Sequence, residues 1–196
     1  MPLPLTPRSR VLHSIEPPLS PQLTSGTTIW QATSAVCAGA ARFDDDGGGA
    51  AMATTPANTD ILLVVGEPPY AEGAGDRHTV ELSEADARLI TSAANGERRV
   101  IVVLLCGRPL ALPPAVLEAI DALLVGWWPG TEGAGVTDGL FGHSAVRGKL
   151  SFSWPRGPMH PRLEDRTPDA AALFPCGFGL DLPAARPEEM TADELW

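Results

Sequence analysis

Cations, cysteines and long apolar runs are scarce in this 196-residue chain, and each scarcity closes off a class of function. Lys+Arg number 14 against 24 Asp+Glu, a formal net charge of -10. A surface that binds nucleic acid needs clustered cations to neutralise phosphates, so no nucleic-acid partner is expected. The three cysteines, Cys37, Cys106 and Cys176, are far apart and form no Cys-x-x-Cys pair. That argues against a disulfide framework or a zinc knuckle and leaves small buried hydrophobes. No apolar run approaches the roughly 18 residues that span a bilayer. No continuous apolar stretch follows Arg8 and Arg10, so neither a signal peptide nor a membrane partner is read in the chain as written, and the default compartment is cytoplasmic. His13, His78, His143 and His160 have no ligand spacing, and neither GxGxxG nor GxxxxGK[ST] nor GxSxG occurs. Metal, cofactor and serine-hydrolase chemistry are therefore not expected.

What the chain does have is a hydrophobic share of 44%, enough for the core of one domain with tails. Residues 1–24 carry Pro2, Pro4, Pro7, Pro17, Pro18 and Pro21. Proline at that density removes backbone donors, so this segment reads as a disordered or extended arm. Over 25–40, Ile29, Ala32, Thr33, Val36, Cys37 and Ala40 recur at helical spacing on one face. Phe43 through Gly49 then reads as a flexible acidic loop whose aspartates lack the oxygen spacing of a calcium loop.

The apolar run Ile61-Leu62-Leu63-Val64-Val65 is continuous rather than alternating, the mark of a parallel strand covered on both faces. Ser83 is a good N-cap for a helix whose buried face would be Ala85, Leu89, Ile90 and Ala93, with Asn95-Gly96 as its stop. Residues 100–105 form a second buried strand. Pro113-Pro114 opens a short helix through Ile120, and residues 122–125 make a third strand. Thr131 is placed as the cap of a further helix, with Glu132 in its first turn, and 149–154 as a last short strand. Alternation of strand and helix gives an α/β fold with a mostly parallel sheet and helices on both faces. Ligands of such sheets sit at the carboxyl ends of the strands. Three unusual loops share that edge: the one bearing Glu67 and Glu72, the Gly107-Arg108-Pro109 loop and the loop from Trp127 to Glu132.

General acid work needs a carboxyl on a positioned loop. Glu72, between Ala71 and Gly73, is free to swing toward a ligand, although a solvated loop carboxylate is the plainer reading. Glu67, wedged before two prolines, looks fixed and suited to accepting backbone hydrogen bonds. Trp127 and Trp128 offer faces for a sugar ring, or for packing under the sheet edge.

The same residues resemble a known family. Val64-Val65-Gly66-Glu67-Pro68-Pro69-Tyr70-Ala71-Glu72-Gly73-Ala74-Gly75-Asp76-Arg77 is similar to the corresponding loop of family 3 glycoside hydrolases, the β-glucosidase and exo-β-glucanase type. Val103-Leu104-Leu105-Cys106-Gly107-Arg108-Pro109-Leu110, Asp121 through Gly133, Val136 through Gly142, Gly148 through Pro155 and Leu173 through Leu180 follow in order. The resemblance covers about residues 25–182 and implies the C-terminal domain of that family, a three-layer α/β/α sandwich that packs on a TIM barrel. On this alignment the domain runs 25–182, after the 1–24 arm and before an acidic tail over 183–196. The sandwich would lack its first strand, since the Pro-rich arm stands where that strand belongs and Trp30 falls on a helix.

The family's activity is retaining hydrolysis of O-glycosyl bonds, in which one carboxylate attacks the anomeric carbon and another protonates the leaving oxygen. The resemblance places the general acid/base at Glu72, with Tyr70, Arg108 and Trp127 as substrate-binding candidates. It puts the nucleophile on a barrel absent from this chain. The implied substrates are β-linked glucosides or gluco-oligosaccharides, the implied partner is a TIM-barrel domain on another chain, and no cofactor or metal is implied. Two other readings stay open: a noncatalytic sugar-binding or interaction module, and an inactive gene fragment.

Overall fold

The computed structural model describes residues 10–14, 25–38, 41–44, 59–94, 98–157 and 172–185, with the backbone alone for 10–14 and 42–44. Five strands, β1 (Arg10–Ser14), β2 (Ala41–Asp44), β3 (Asp60–Gly66), β4 (Val100–Leu105) and β5 (Ala122–Val125), form one sheet in the order β2-β1-β3-β4-β5. Every pairing is parallel. Among the described residues the helices are α1 (Ile29–Val36), α2 (Glu84–Ala93), α3 (Pro114–Ala119) and α4 (Gly133–Phe141).

The continuous apolar runs of β3 and β4 are buried because both faces of the sheet are covered. Ile61, Leu63 and Val65 of β3, with Val102 and Leu104 of β4, pack with Leu89, Ile90 and Ala93 of α2 and Val116 of α3. Leu62 and Val64, with Ile101 and Val103, pack with Ile29 of α1 and Phe141 of α4. The period-two alternation of a strand thus divides one apolar run between two cores. Burying each such side chain contributes on the order of 1.5–3 kcal/mol, so this central pair of strands dominates the cohesion of the sheet. The result is the expected three-layer α/β/α arrangement.

The missing first strand was the wrong expectation. Residues 10–14 form β1, which lies between β2 and β3 and pairs with both. Pro7 and Pro17 bracket a proline-free stretch, so the backbone donors a central strand needs are present there. The rest of the 1–24 arm lies outside the described residues, as do 186–196 of the acidic tail. Residues 182–185 still attach to the body, with a bridge between Val146 and Leu182 and a hydrogen bond from Ala185 N to Gly142 O (2.7 Å). Phe43 and Asp44, read as part of an acidic loop, belong to β2.

Helix ends explain other differences. Thr28 caps α1 in a capping box with Gln31, and Cys37 ends it ahead of Ala38 at φ 46°. Ser83 caps α2 as expected. Its oxygen accepts from Asp86 N at 3.0 Å and its hydroxyl donates to Asp86 Oδ2 at 2.7 Å, which buries Asp86 and leaves Ala85 exposed. Asn95-Gly96 lies outside the described residues. Glu132, not Thr131, is the N-cap of α4, without a side-chain cap. Residues 149–154 are not a strand. They pair irregularly with 173–178 through Trp154 N to Phe174 O (2.7 Å) and Leu150 N to Phe178 O (2.9 Å), and only one bridge forms before Pro155 removes the next donor. Among the described residues no helix is long and apolar enough to cross a membrane.

The chain steps from β1 outward to β2 and then returns to place β3 on the other side of β1. The point where strand order reverses therefore lies between β1 and β3. Ligands of open parallel sheets bind at that point, outside the carboxyl ends of the strands. The loop that leaves β3 carries Glu67 and Glu72.

Candidate active site

The loop begins at Gly66, whose φ of 151° and position over Leu105 admit no side chain, because a Cβ there would overlap the Leu105 carbonyl. This lets β3 stay pressed on β4 to its last residue, and Glu67 N donates to Leu105 O at 2.9 Å. The Glu67 side chain is buried. Its Oε1 accepts from Arg108 Nη2 at 2.7 Å and Nε at 3.1 Å, with Arg77 Nη1 at 3.9 Å. Glu67 was expected to accept backbone hydrogen bonds, and the structure gives it a guanidinium instead. Its Oε2 is buried with no hydrogen-bond partner among the described residues.

Arg108 enters from the loop after β4. Its Nη1 donates to Gly75 O at 2.6 Å, and its Cζ lies 4.6 Å from the centre of the Tyr70 ring. The hydrogen bond to Glu67 is the main cause holding the guanidinium above its ordinary pKa. Of the five N–H donors of a guanidinium, three are engaged inside the loop cluster. Burial, and then the charge of Glu67, raise the Tyr70 phenol above its ordinary value.

Between Tyr70 and Gly75 the chain makes a compact turn. Gly75 N donates to Ala71 O (3.0 Å), Ala74 N to Glu72 O (2.9 Å) and Asp76 N to Gly73 O (3.1 Å). Glu72 and Gly73 stand exposed on this turn, and nothing lies within 4 Å of where a Gly73 Cβ would be. The Glu72 side chain therefore projects into solvent from a pinned base.

The loop after β5 joins the group through Cys106 N to Trp127 O at 3.2 Å. Trp128 meets the Tyr70 ring edge-on at 5.9 Å between centroids. Gly107 is what allows this approach: a Cβ there would come within 2.5 Å of the Trp128 indole nitrogen and 2.7 Å of the Tyr70 hydroxyl. Trp127, at φ 51°, turns the other way and packs on Trp154 (6.1 Å) and Phe152 (6.2 Å), with 36% of its surface exposed.

The structure thus brings Tyr70, Glu72 and Arg108 into one cluster and sets Trp127 beside it. Two members escaped sequence reasoning. Glu67 was noticed but paired wrongly. Trp128, rather than Trp127, makes the contact with Tyr70. The available signal was the small residue at 107 next to Arg108, which implies that something bulky presses on that loop.

Comparison with known proteins follows the same lines. The family model described as glycosyl hydrolase family 3 C-terminal domain matches residues 2–182, including β1. The chain is 38% identical over 143 residues to a periplasmic β-glucosidase of Salmonella typhimurium, an overlap of 61% of this chain and 19% of that protein. It is 34% identical over 124 residues to a xylan 1,4-β-xylosidase of Xylanibacter ruminicola, covering 58% of this chain and 14% of that protein. Among solved structures, a β-glucosidase from Listeria innocua in complex with isofagomine superposes with a TM-score of 0.71 at 23% identity, over 91% of this chain and 31% of that one. That likeness is one of fold. The chain spans less than a fifth of the length of these two curated relatives.

Proposed function

The chain belongs to the glycosyl hydrolase family 3 C-terminal domain family, and from that premise we propose that it supplies the general acid/base of a retaining β-glycosidase acting on β-linked glucosides. Glu72 is the acid/base in this reading. Its carboxyl gives a proton to the glycosidic oxygen as the carbon–oxygen bond breaks, and the resulting carboxylate then takes a proton from the water that releases the sugar. The nucleophilic carboxylate, about 5–5.5 Å away in retaining enzymes, comes from a barrel domain outside this chain. Trp127 presents a partly open indole face for a sugar ring, with Tyr70 and Arg108 lining the approach to Glu72.

The observation that carries the reading is the placement of Glu72: an exposed carboxyl on a hydrogen-bonded turn that leaves β3 where the strand order reverses. The test combines the chain with a family 3 barrel domain and follows hydrolysis of aryl β-glucosides whose leaving groups differ in basicity. Glu72→Gln should lose about 10²–10⁴-fold on poor leaving groups, the usual share of proton transfer in the barrier. It should lose much less on leaving groups that depart without protonation. A variant that hydrolyses both classes as well as the unaltered chain would remove Glu72 from the mechanism.

A further inference from the structure

We infer that Arg108 and Glu67 form a positioning clamp that fixes the direction of the Glu72 turn. Both residues act through the loop and not on the reacting atoms. The turn from Ala71 to Gly75 closes on itself by backbone hydrogen bonds, but those bonds set only its shape. What orients it on the sheet is the pair of stems that enter and leave it, and both end at the same guanidinium. The entering stem is Tyr70, whose ring lies under Arg108 at 4.6 Å. The leaving stem is Gly75, whose carbonyl accepts from Arg108 Nη1 at 2.6 Å and whose missing side chain lets its backbone rest against the Tyr70 ring.

The clamp is itself anchored to the central pair of strands. Gly66 and Leu105 are the last paired residues of β3 and β4, so Glu67 and the loop bearing Arg108 leave the sheet side by side. Two nitrogens of the planar guanidinium, Nε and Nη2, converge on the single oxygen Oε1 of Glu67, and the third nitrogen reaches Gly75. A lysine at this place carries the same charge as a single point and cannot bond Glu67 twice while also holding Gly75. The carboxylate of Glu67 is held in place by Oε1, and its Oε2 is closed off from solvent, with no hydrogen-bond partner among the described residues.

The significance for catalysis rests on Glu72 being the acid/base, but the clamp can be judged without it. Backbone ¹⁵N relaxation of the full chain reads the order of each amide. In the unaltered protein, Gly73, Ala74, Gly75 and Asp76 should be as ordered as the strands, with order parameters near 0.85. In Arg108→Lys they should fall below about 0.6 while Ile61–Val65 and Ile101–Leu105 keep their values. Glu67→Gln, which keeps an acceptor but removes the ion pair, should give the same localised loss and serves if the lysine variant does not fold. Unchanged order over 73–76 in both variants would overturn the clamp, as would a loss spread evenly over loop and strands, which marks a general packing role. Failure of Glu72→Gln to select against poor leaving groups, with the clamp result intact, would instead sink the catalytic reading alone.

Discussion

Cys106 closes the β4 strand directly beneath the loop cluster, fully buried, and its desolvation pushes the thiol up to about 12. An unfolded cysteine titrates near 8.5–9, so above that range the unfolded chain gives up a proton that the folded chain keeps. The sign follows: the folded-state value is raised, the contribution is fully present below about pH 8.5, and it is lost as pH rises toward the folded value. Between about pH 9 and 11 the unfolding free energy should fall by roughly 1.4 kcal/mol per pH unit from this group. Tyr70, also raised, adds to the decline in the same direction above its own ordinary range. Urea melts across this range check it, with Cys106→Ala expected to flatten the slope whatever it does to the absolute stability. Thiol labelling at neutral pH should reach Cys176 before Cys37 and Cys106, since both of those are buried. At this scale the sequence made Glu72 visible because its neighbours are small. It hid the partner of Glu67, because nothing in local spacing says that residues 67 and 108 leave adjacent strands in register.

Two of the described helices, α1 and α2, are held at their starts by side-chain caps. The α1 helix is only eight residues long and is held at its start by the Thr28–Gln31 capping box, with Gln31 N to Thr28 Oγ1 at 3.1 Å and Thr28 N to Gln31 Oε1 at 2.9 Å. Thr28→Ala should destabilise the protein by about 1 kcal/mol, seen as a lower urea midpoint with an unchanged slope. Thr28→Ser should restore most of it. The elements with a strong pattern were legible: β3 and β4 are uninterrupted apolar runs, and Ser83 announces α2. Those with weak patterns were not. In β1 only Val11 and Leu12 are apolar among five residues, too short a run to oppose six nearby prolines. The alternation over 149–154 looked like a strand because the aromatic and leucine side chains are inward-facing, yet its backbone pairs with an irregular segment and not with the sheet.

At the scale of the whole molecule, the proposed function gives these residues one carboxylate of a catalytic pair and leaves the other to a barrel domain. A TIM barrel takes about 250 residues, more than these 196, of which the sandwich domain accounts for 2–182. The purified chain alone should therefore show no turnover of aryl β-glucosides, followed by chromophore release over hours at high protein concentration. Sustained turnover would mean that a nucleophile resides in this chain after all. The domain's class was legible from six ordered sequence blocks, whereas the strand order was not, because it depends on a strand that composition disguises. That strand has a consequence for biosynthesis. β1 leaves the ribosome before both of its neighbours, β2 and β3, yet β3 lies about fifty residues further along the chain. A nascent chain that has made β1, α1 and β2 holds a two-stranded ribbon whose β1 edge stays open until residue 66 emerges, so cotranslational folding waits on β3 and the interval exposes an edge that another chain can occupy.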